Sequence, residues 1–479
     1  MGNCAIGIYR AVNVFIVLSY LPKTYITLED IIMAIADQIA EFVTETTFED
    51  IPAETVTFVK HLSSKIIAAM LTGSTSRAGM KTAEYVRSKQ GPAEVGVIGA
   101  GFLCELEDAV FINGITSHAA ELEDDQFPSA TSDITVFPVI FPMAAKLGLT
   151  GKEVITASAL GLEIMNRVGM FPLSFKGYTD LPFYGVIGAA VTAGKALKLN
   201  PEQLKQAMGI SMGRASGYIV NFGSDAHYIE SAGACRDGLM AALLAQKGLT
   251  GNPNIEKWLV DLYAGSEHAI DTQKIVQGLG GSEWRVHEIW IKKYPCCFLT
   301  HRHIDMMLDI LAEQKVSYGD IERVGIDVGP VDYTCNRPQP KDPEDARFSF
   351  QHIMAALMLD GDIDSYHFTP ETLSDNRFRN AWPKVSVTNH PDWPAEFMSG
   401  VARITVSLKN GEQVVKEKKQ ALGGPQFPLT QDQFKELYHK YTKSVLTPEE
   451  MEETWQILSN LEKVENLTGF IEKIVFPGK

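Results

Sequence analysis

Between Leu28 and Gly248 apolar residues recur every three or four positions, the spacing of one buried helical stripe, in segment after segment. Ile31, Ile32, Ile35, Ile39, Phe42 and Val43 open the series with acids opposite, and it continues through Val56–Leu71, Ala109–Ala120, Ile140–Leu147, Lys152–Val168, Gly185–Leu197, Pro201–Ala215 and Gly233–Gly248. This predicts an almost wholly helical half. Several segments are rich in Ala and Gly, above all GVIGAAVTAGKALKL at Gly185–Leu199, and small side chains let helix backbones approach closely. Such helices are expected at the centre.

After Trp290 the period changes to two in Val324–Val328 and in VARITVSLKNGEQVV, where Asn410-Gly411 predicts a two-residue hairpin turn. Lys384–Val387 predicts a further strand, and Arg302–Gln314, Phe348–Leu359 and Thr369–Arg379 read as helices, so this stretch is an α+β unit. Helical spacing returns over Gln431–Lys443 and Pro448–Ile474, after the Gly423–Pro425 punctuation. The expected organisation is an N-terminal extension at 1–27, helical-domain segments at 28–286 and 425–479, and an α+β lid at 287–424. The fold class is mainly α with an α+β lid.

A formal net charge of −16 argues against nucleic acid and anionic membranes as partners, because phosphate contacts need clustered Lys and Arg. It leaves room for a small-molecule substrate in a local cationic pocket. The apolar run Ala11–Leu21 is too short for a membrane span and lacks an export cleavage pattern, so stable membrane insertion is not expected. Gly2 and Cys4 suggest dual acylation, yet Ile6 stands where a myristoylation pattern has Ser or Thr. A cytoplasmic location is expected, with an organelle- or membrane-associated extension as the alternative. Cys4, Cys104, Cys235, Cys296, Cys297 and Cys335 form neither a disulfide scaffold nor a C-x-x-C knuckle, and no metal or cofactor is expected.

Two motifs mislead. Gly188 to Gly194-Lys195 imitates a phosphate loop with one residue too many and Ala196 in place of Ser or Thr, and Asn466-Leu467-Thr468 is a sequon in an expected helix.

Three constellations carry chemistry. In HAAELEDD, His118 to Asp125, helical spacing puts His118, Glu121 and Asp125 on one face, with crowded acids raising one carboxyl toward working pH; the alternative is a solvated acidic turn. In KKYPCCFLTHRH, Lys292, Lys293 and Arg302 offer carboxylate binding, Cys297 a polarisable wall or acid and His301 a proton carrier; the alternative is a hinge with solvated cations and buried cysteines. In SDAHYIESAGACRDG, His227 lies in a loop before a small-residue helix that contains Arg236.

The strings GFLCELEDAVFINGITSHAAELEDD, LGLEIMNRVG, GVIGAAVTAGKALKLNPEQLKQAMGIS, CRDGLMAALLAQKGLTG, IKKYPCCFLTH and ARFSFQHIMAALMLDG, in this order, resemble the MmgE/PrpD family from about Ile31 onward. That family includes 2-methylcitrate dehydratases, cis-aconitate decarboxylases and iminodisuccinate epimerases, and the texture is most similar to the fungal decarboxylase branch. The resemblance implies a helical domain from both chain ends, an α+β lid, a homodimer and a cofactor-free site between the domains. It also implies site positions. The family acid falls on Glu121, two family histidines fall on Thr131 and Met170, the site lysine on His227, another His on Cys297, and the lid tyrosine on Tyr333.

The expected catalytic residues are therefore Glu121, Asp125, His227, His301 and Tyr333, and the expected substrate-binding residues Thr131, Met170, Lys292, Cys297 and Arg302. The expected chemistry is a cofactor-free lyase or isomerase that removes a proton next to a carbonyl, on a substrate less charged than citrate. The alternatives are a secondary-metabolite isomerase, epimerase or cyclase on a larger apolar intermediate, and a non-catalytic protein retaining the fold.

Overall fold

The computed structural model describes residues 34–127, 129–394 and 400–478. The expected extension and the helix opening at Ile31 and Ile32 lie outside these residues.

Helices α1 (Ala34–Glu45), α2 (Ala53–Ser74), α3 (Arg77–Ser88), α4 (Leu106–Ala119), α5 (Phe137–Leu147), α6 (Gly151–Val168), α7 (Asp180–Ala196), α8 (Pro201–Met212), α9 (Asp225–Gln246) and α10 (Ile255–Tyr263) follow one another, α3 and α10 being additions to the segments that the periodicity predicts. Their starts are written locally. Thr150 accepts a hydrogen bond from the Glu153 N–H while Glu153 accepts one from the Thr150 N–H, and Asn200-Pro201 opens α8 in the same reciprocal manner with Gln203. Among the described residues before position 280, the paired strands are two-residue antiparallel pairs: β1 (Val95–Gly96) with β2 (Leu103–Cys104), and β3 (Asp125–Gln126) with β4 (Thr131–Ser132).

Small residues bring α4, α7 and α9 together. A Cβ added at Gly238 of α9 would stand 2.4 Å from the Ala189 Cβ and 2.7 Å from the Val186 carbonyl oxygen of α7. One added at Gly114 of α4 would stand 2.7 Å from the Ala232 Cα of α9. The Ala/Gly texture thus places α9, which carries His227, against α4, which carries His118.

Strand β5 (Ile289–Trp290) pairs antiparallel with β3, and α11 (Phe298–Gln314) follows it. Then come β6 (Ile321–Val328), the short helices α12 (Pro343–Ala346), α13 (Phe350–Asp360), α14 (Pro370–Ser374) and α15 (Asn376–Ala381), and strands β7 (Val385–Asn389), β8 (Ala402–Leu408) and β9 (Gln413–Lys418). The four-stranded sheet has order β7-β6-β8-β9, with β6 and β7 parallel and the other pairs antiparallel. Helices α16 (Gln431–Thr442), α17 (Pro448–Ser459) and α18 (Thr468–Val475) close the chain. One apolar core gathers side chains from Ile35 to Ile291 and again from Leu429 to Val475, and a second gathers Tyr294 to Leu408.

Local expectations are corrected in several places. The β8–β9 loop holds three residues, not two: Leu408 pairs with Glu412, and Gly411 takes φ +91. The expected helix Thr369–Arg379 breaks at Asp375, whose side chain accepts from the Arg377 N–H and restarts the helix as α15. Pro448–Ile474 is two helices, and Asn466 precedes the second, accepting from the Thr468 N–H, so the sequon is not helical. Helix α9 begins at Asp225, so His227 sits in its first turn and not in a loop.

Candidate active site

Helix α4 ends inside the HAAELEDD string. The Glu121 N–H donates to the His118 carbonyl at 2.9 Å, and Glu121 takes φ +53, a left-handed conformation that costs a non-glycine residue about 1 kcal/mol. The chain leaves the helix there, so His118, Glu121 and Asp125 do not share a helix face: one is on α4, one in the turn and one on β3. The solvated-turn alternative also fails, because Glu121, Glu123, Asp124 and Asp125 are all buried.

Lys292 holds this turn. Its Nζ donates to Glu121 Oε2 at 2.9 Å and to Glu123, while its backbone N–H donates to Asp124 Oδ1 at 2.8 Å. The β3–β5 pairing sets Asp125 opposite Trp290, two residues before Lys292, and so puts the lysine over the acids. Deeper, Lys65 of α2 lies 3.6 Å from Asp124 and donates to the Leu122 carbonyl at 3.0 Å, and Asp133 accepts from the Asp124 N–H at 3.1 Å.

Five buried carboxyl groups (Glu121, Glu123, Asp124, Asp125, Asp133) therefore face two buried lysines and Arg347. This imbalance decides their protonation. Burial disfavours ionised Glu121, but Lys292 and Arg347 outweigh it and hold its carboxyl below the usual range. Burial and then the charge of Glu121 push Glu123 well above it. Burial, opposed chiefly by Lys65 for Asp124 and by Lys292 for Asp125, lifts these two to about 6 and about 7. Burial and then Asp124 raise Asp133 strongly. The cluster thus pairs an ionised carboxylate with carboxyls that retain protons near neutrality.

The small-residue packing of α4 on α9 brings a second group alongside. The rings of His118 and His227 meet edge to face at 4.5 Å, and His118 Nδ1 lies 2.8 Å from the Ser231 hydroxyl. Burial, then His227 and Lys292, hold His118 neutral. Tyr228 donates to Glu344, which lies 3.4 Å from the guanidinium of Arg347. Arg347 in turn donates to the Pro295 carbonyl at 2.7 Å and to the Ala120 carbonyl, at the end of α4, at 3.2 Å. It joins the second core's segment to the turn that carries Glu121.

At the junction, His301 lies one helical turn into α11, with Nε2 3.1 Å from the Cys296 carbonyl and Nδ1 buried without a partner. Burial and Lys292 bring its pKa down to about 3, so it is a neutral hydrogen-bonding group. Cys297 caps α11, and Phe298 lies beneath the Lys292 ammonium, 5.4 Å away, and against Phe127 at 5.6 Å.

The remaining expected residues are placed otherwise. Arg302 is buried against Asp332 and donates to the Gly400 carbonyl at 2.9 Å, so it ties the lid together. Tyr333, in the same turn as Asp332, has 38% of its surface exposed. Met170 packs on the large core, and the Thr131 hydroxyl lies 2.8 Å from Asn166 Oδ1. Lys293 pairs with Asp305 at 2.5 Å.

Sequence reasoning assigned no role to Lys65, Asp133, Tyr228, Glu344 or Arg347. Lys65 had a signal: a lysine within the apolar run SSKIIAAM is buried only if an acid awaits it. Arg347 had none, because the carbonyls it binds, Pro295 and Ala120, are distant in sequence. His118, Glu121 and Glu123 present ligand atoms within 4.8 Å of one another, a spacing a metal ion could span, but the Lys292 ammonium already bonds both carboxylates. No helix among the described residues is long and apolar enough to cross a membrane.

Comparison with known proteins matches residues 37–258 to the MmgE/PrpD N-terminal domain and residues 294–463 to the MmgE/PrpD C-terminal domain. The chain is 26% identical to the cis-aconitate decarboxylase of Homo sapiens, covering 75% of this chain and 77% of that protein. It is 24% identical to the cis-aconitate decarboxylase-like protein oryM of Aspergillus oryzae, covering 91% and 96%. It is 22% identical to the cis-aconitate decarboxylase of Aspergillus terreus, covering 93% and 96%.

Proposed function

The chain belongs to the MmgE/PrpD family, and from that premise we propose that this enzyme is a cofactor-free lyase or isomerase acting on a substrate less charged than a tricarboxylate. The observation that carries the reading is the engagement of its cations: Lys292 bonds Glu121 and Glu123, and Arg347 lies against Glu344 and main-chain carbonyls. Each carboxylate of a bound ligand needs a charged or multiply donating partner, and few are left for it.

In this mechanism the ionised Glu121 takes the proton next to a carbonyl, and the protonated Asp125 returns one to the leaving oxygen or to another carbon. Lys292 stabilises the developing enolate, and His227 and His301 act as hydrogen-bonding groups around it. Loss of water, loss of CO2 and return of the proton elsewhere share this first step.

The experiment is a panel of mono-, di- and tricarboxylates in D2O, followed by NMR for deuterium entry next to a carbonyl and for CO2 or water loss. Turnover of a mono- or dicarboxylate that disappears in Glu121→Gln supports the reading. Exchange unaffected by that change sinks it.

A second reading, an isomerase, epimerase or cyclase of secondary metabolism on a larger apolar intermediate, is favoured by the aromatic wall of Trp290, Phe127 and Phe298 beside Lys292. We also propose a homodimer, for which the support is a recess of about 320 Å³ lined by Tyr85, Phe111, Ile115 and Ile229. Sedimentation equilibrium giving a monomer at micromolar concentration would remove that proposal.

A further inference from the structure

Tyr228 joins parts of the chain that the two large apolar cores keep separate. It lies on α9, one residue after His227, in a small apolar cluster with Ile115, Ala119 and Ala232, and its ring meets that of His118 edge to face at 5.0 Å. Its hydroxyl donates to Glu344 of α12. That short helix is fixed in the lid: Asp342 accepts from the Asp345 N–H, Asp345 pairs with Arg337, and Ala346 sits in the second core. Three residues after Glu344 is Arg347. Its Nη1 donates to the Pro295 carbonyl at 2.7 Å and to the Ala120 carbonyl at 3.2 Å, and its Nη2 to the Ala119 carbonyl at 3.4 Å. Its Nε is buried without a hydrogen-bond partner, and among the described residues the carboxyl within ion-pair distance of it is Glu344, at 3.4 Å.

We propose that Tyr228 and Glu344 are positioning residues for the candidate active site: the pair clamps α12 of the lid to α9 and so holds Arg347 against the turn that carries Glu121. The clamp stands on its own, whereas its effect on turnover rests on the reading of Glu121 as the base. The order of contacts gives the physical reason. Tyr228 fixes the Glu344 carboxyl, and Glu344 faces the Nε edge of the guanidinium, which needs a counter-charge in a buried place. The other N–H groups of Arg347 then take carbonyls at the C-terminal end of α4, where a cation also meets the negative end of the helix, and Glu121 follows directly. Burial raises the Glu344 carboxyl, and Arg347 first, then the Tyr228 hydroxyl, oppose the rise.

The test has two arms. The first uses the full chain without substrate and follows amide hydrogen exchange by mass spectrometry in the parent, Tyr228→Phe, Glu344→Met and the double variant. Exchange in residues 118–126 and 343–350 should speed up together by about tenfold in either single variant, the shift expected for one lost buried hydrogen bond, with strands β6 to β9 unchanged. The double variant should be no faster than the faster single one, because both changes remove the same interaction. Acceleration confined to α9, or effects that multiply in the double variant, overturn the clamp. If the variants do not fold, exchange in the native protein decides: the two segments must open with the same urea dependence, and independent opening rejects the pair.

The second arm follows deuterium entry into the carboxylate panel as a function of pH. Besides Arg347, Glu121 faces Lys292, Glu123, Asp125, His118 and His227, and the substitution changes none of these. In Glu344→Met the acid limb should move up by about one pH unit, tenfold in rate on the limb with the plateau retained, because a displaced Arg347 no longer favours ionised Glu121. A limb that stays or moves down shows Arg347 still in place and overturns the positioning role. Absence of exchange in the parent rejects the reading of Glu121 as the base, and the first arm then decides the clamp.

Discussion

Lys292 Nζ lies 2.9 Å from Glu121 Oε2 and also bonds Glu123, so one buried ammonium after β5 holds two carboxylates of the turn after α4. Replacing it with Met should leave Glu121 charged and unpaired in a dry site, at a cost of about 3–5 kcal/mol in stability. Adding Glu121→Gln should return part of that. Urea melts of the single and double variants measure both, and a single-variant cost below about 1 kcal/mol would contradict the triad.

The raised carboxyls set the sign of the pH response. Asp124 and Asp125 sit at about 6 and about 7 in the folded protein, above the unfolded value near 4, so the fold binds more protons than the unfolded chain in that window. Their contribution is complete below about pH 4 and is lost as pH rises through 6 to 7. Asp125→Asn should therefore melt higher relative to the parent at pH 8 than at pH 5. Parallel melting profiles of the two proteins from pH 5 to 8 would show that Asp125 does not retain its proton.

Citrate-type tricarboxylates should be poor substrates. Losing a partner for a buried ligand carboxylate costs on the order of 2–5 kcal/mol, or roughly 30- to several-thousand-fold in binding. Thr131 is bonded to Asn166, Met170 packs in the core, and Lys292 is engaged by two acids. A kcat/KM of about 10⁴ M⁻¹s⁻¹ or more for 2-methylcitrate or cis-aconitate refutes this expectation.

Turnover should survive exhaustive chelation, because Lys292 competes for the carboxylates that a cation between His118, Glu121 and Glu123 would use. Activity lost with EDTA and restored by one added metal is the contrary result.

Gly238→Ala should destabilise by about 1–3 kcal/mol, since its Cβ would stand 2.4 Å from that of Ala189 in a packed helix pair. Adding Ala189→Gly should recover part of the loss in the same thermal melt. An unchanged melting temperature in the single variant would contradict the close packing of α7 on α9.

Much of the fold is legible in the sequence because its signals are local. A stripe of apolar residues, Thr150 three places before Glu153, or alternation in Val324–Val328 each depends on neighbours within a turn or a strand, and each segment adopts the expected element. The acidic cluster with Glu121 and Asp125 also stands out in the sequence, as does Lys292 in a separate string. The state of that cluster does not. The left-handed turn at Glu121 removes it from the helix face that the spacing implied, and protonation depends on Lys65, 57 residues before Leu122, and on Arg347, 227 after Ala120. Arg302 and Lys292 are cations of one short string, yet packing directs the first to Asp332 in the lid and the second to Glu121. Charge in a dry interior is set by which groups folding brings within a few ångströms, and sequence spacing carries no measure of that distance.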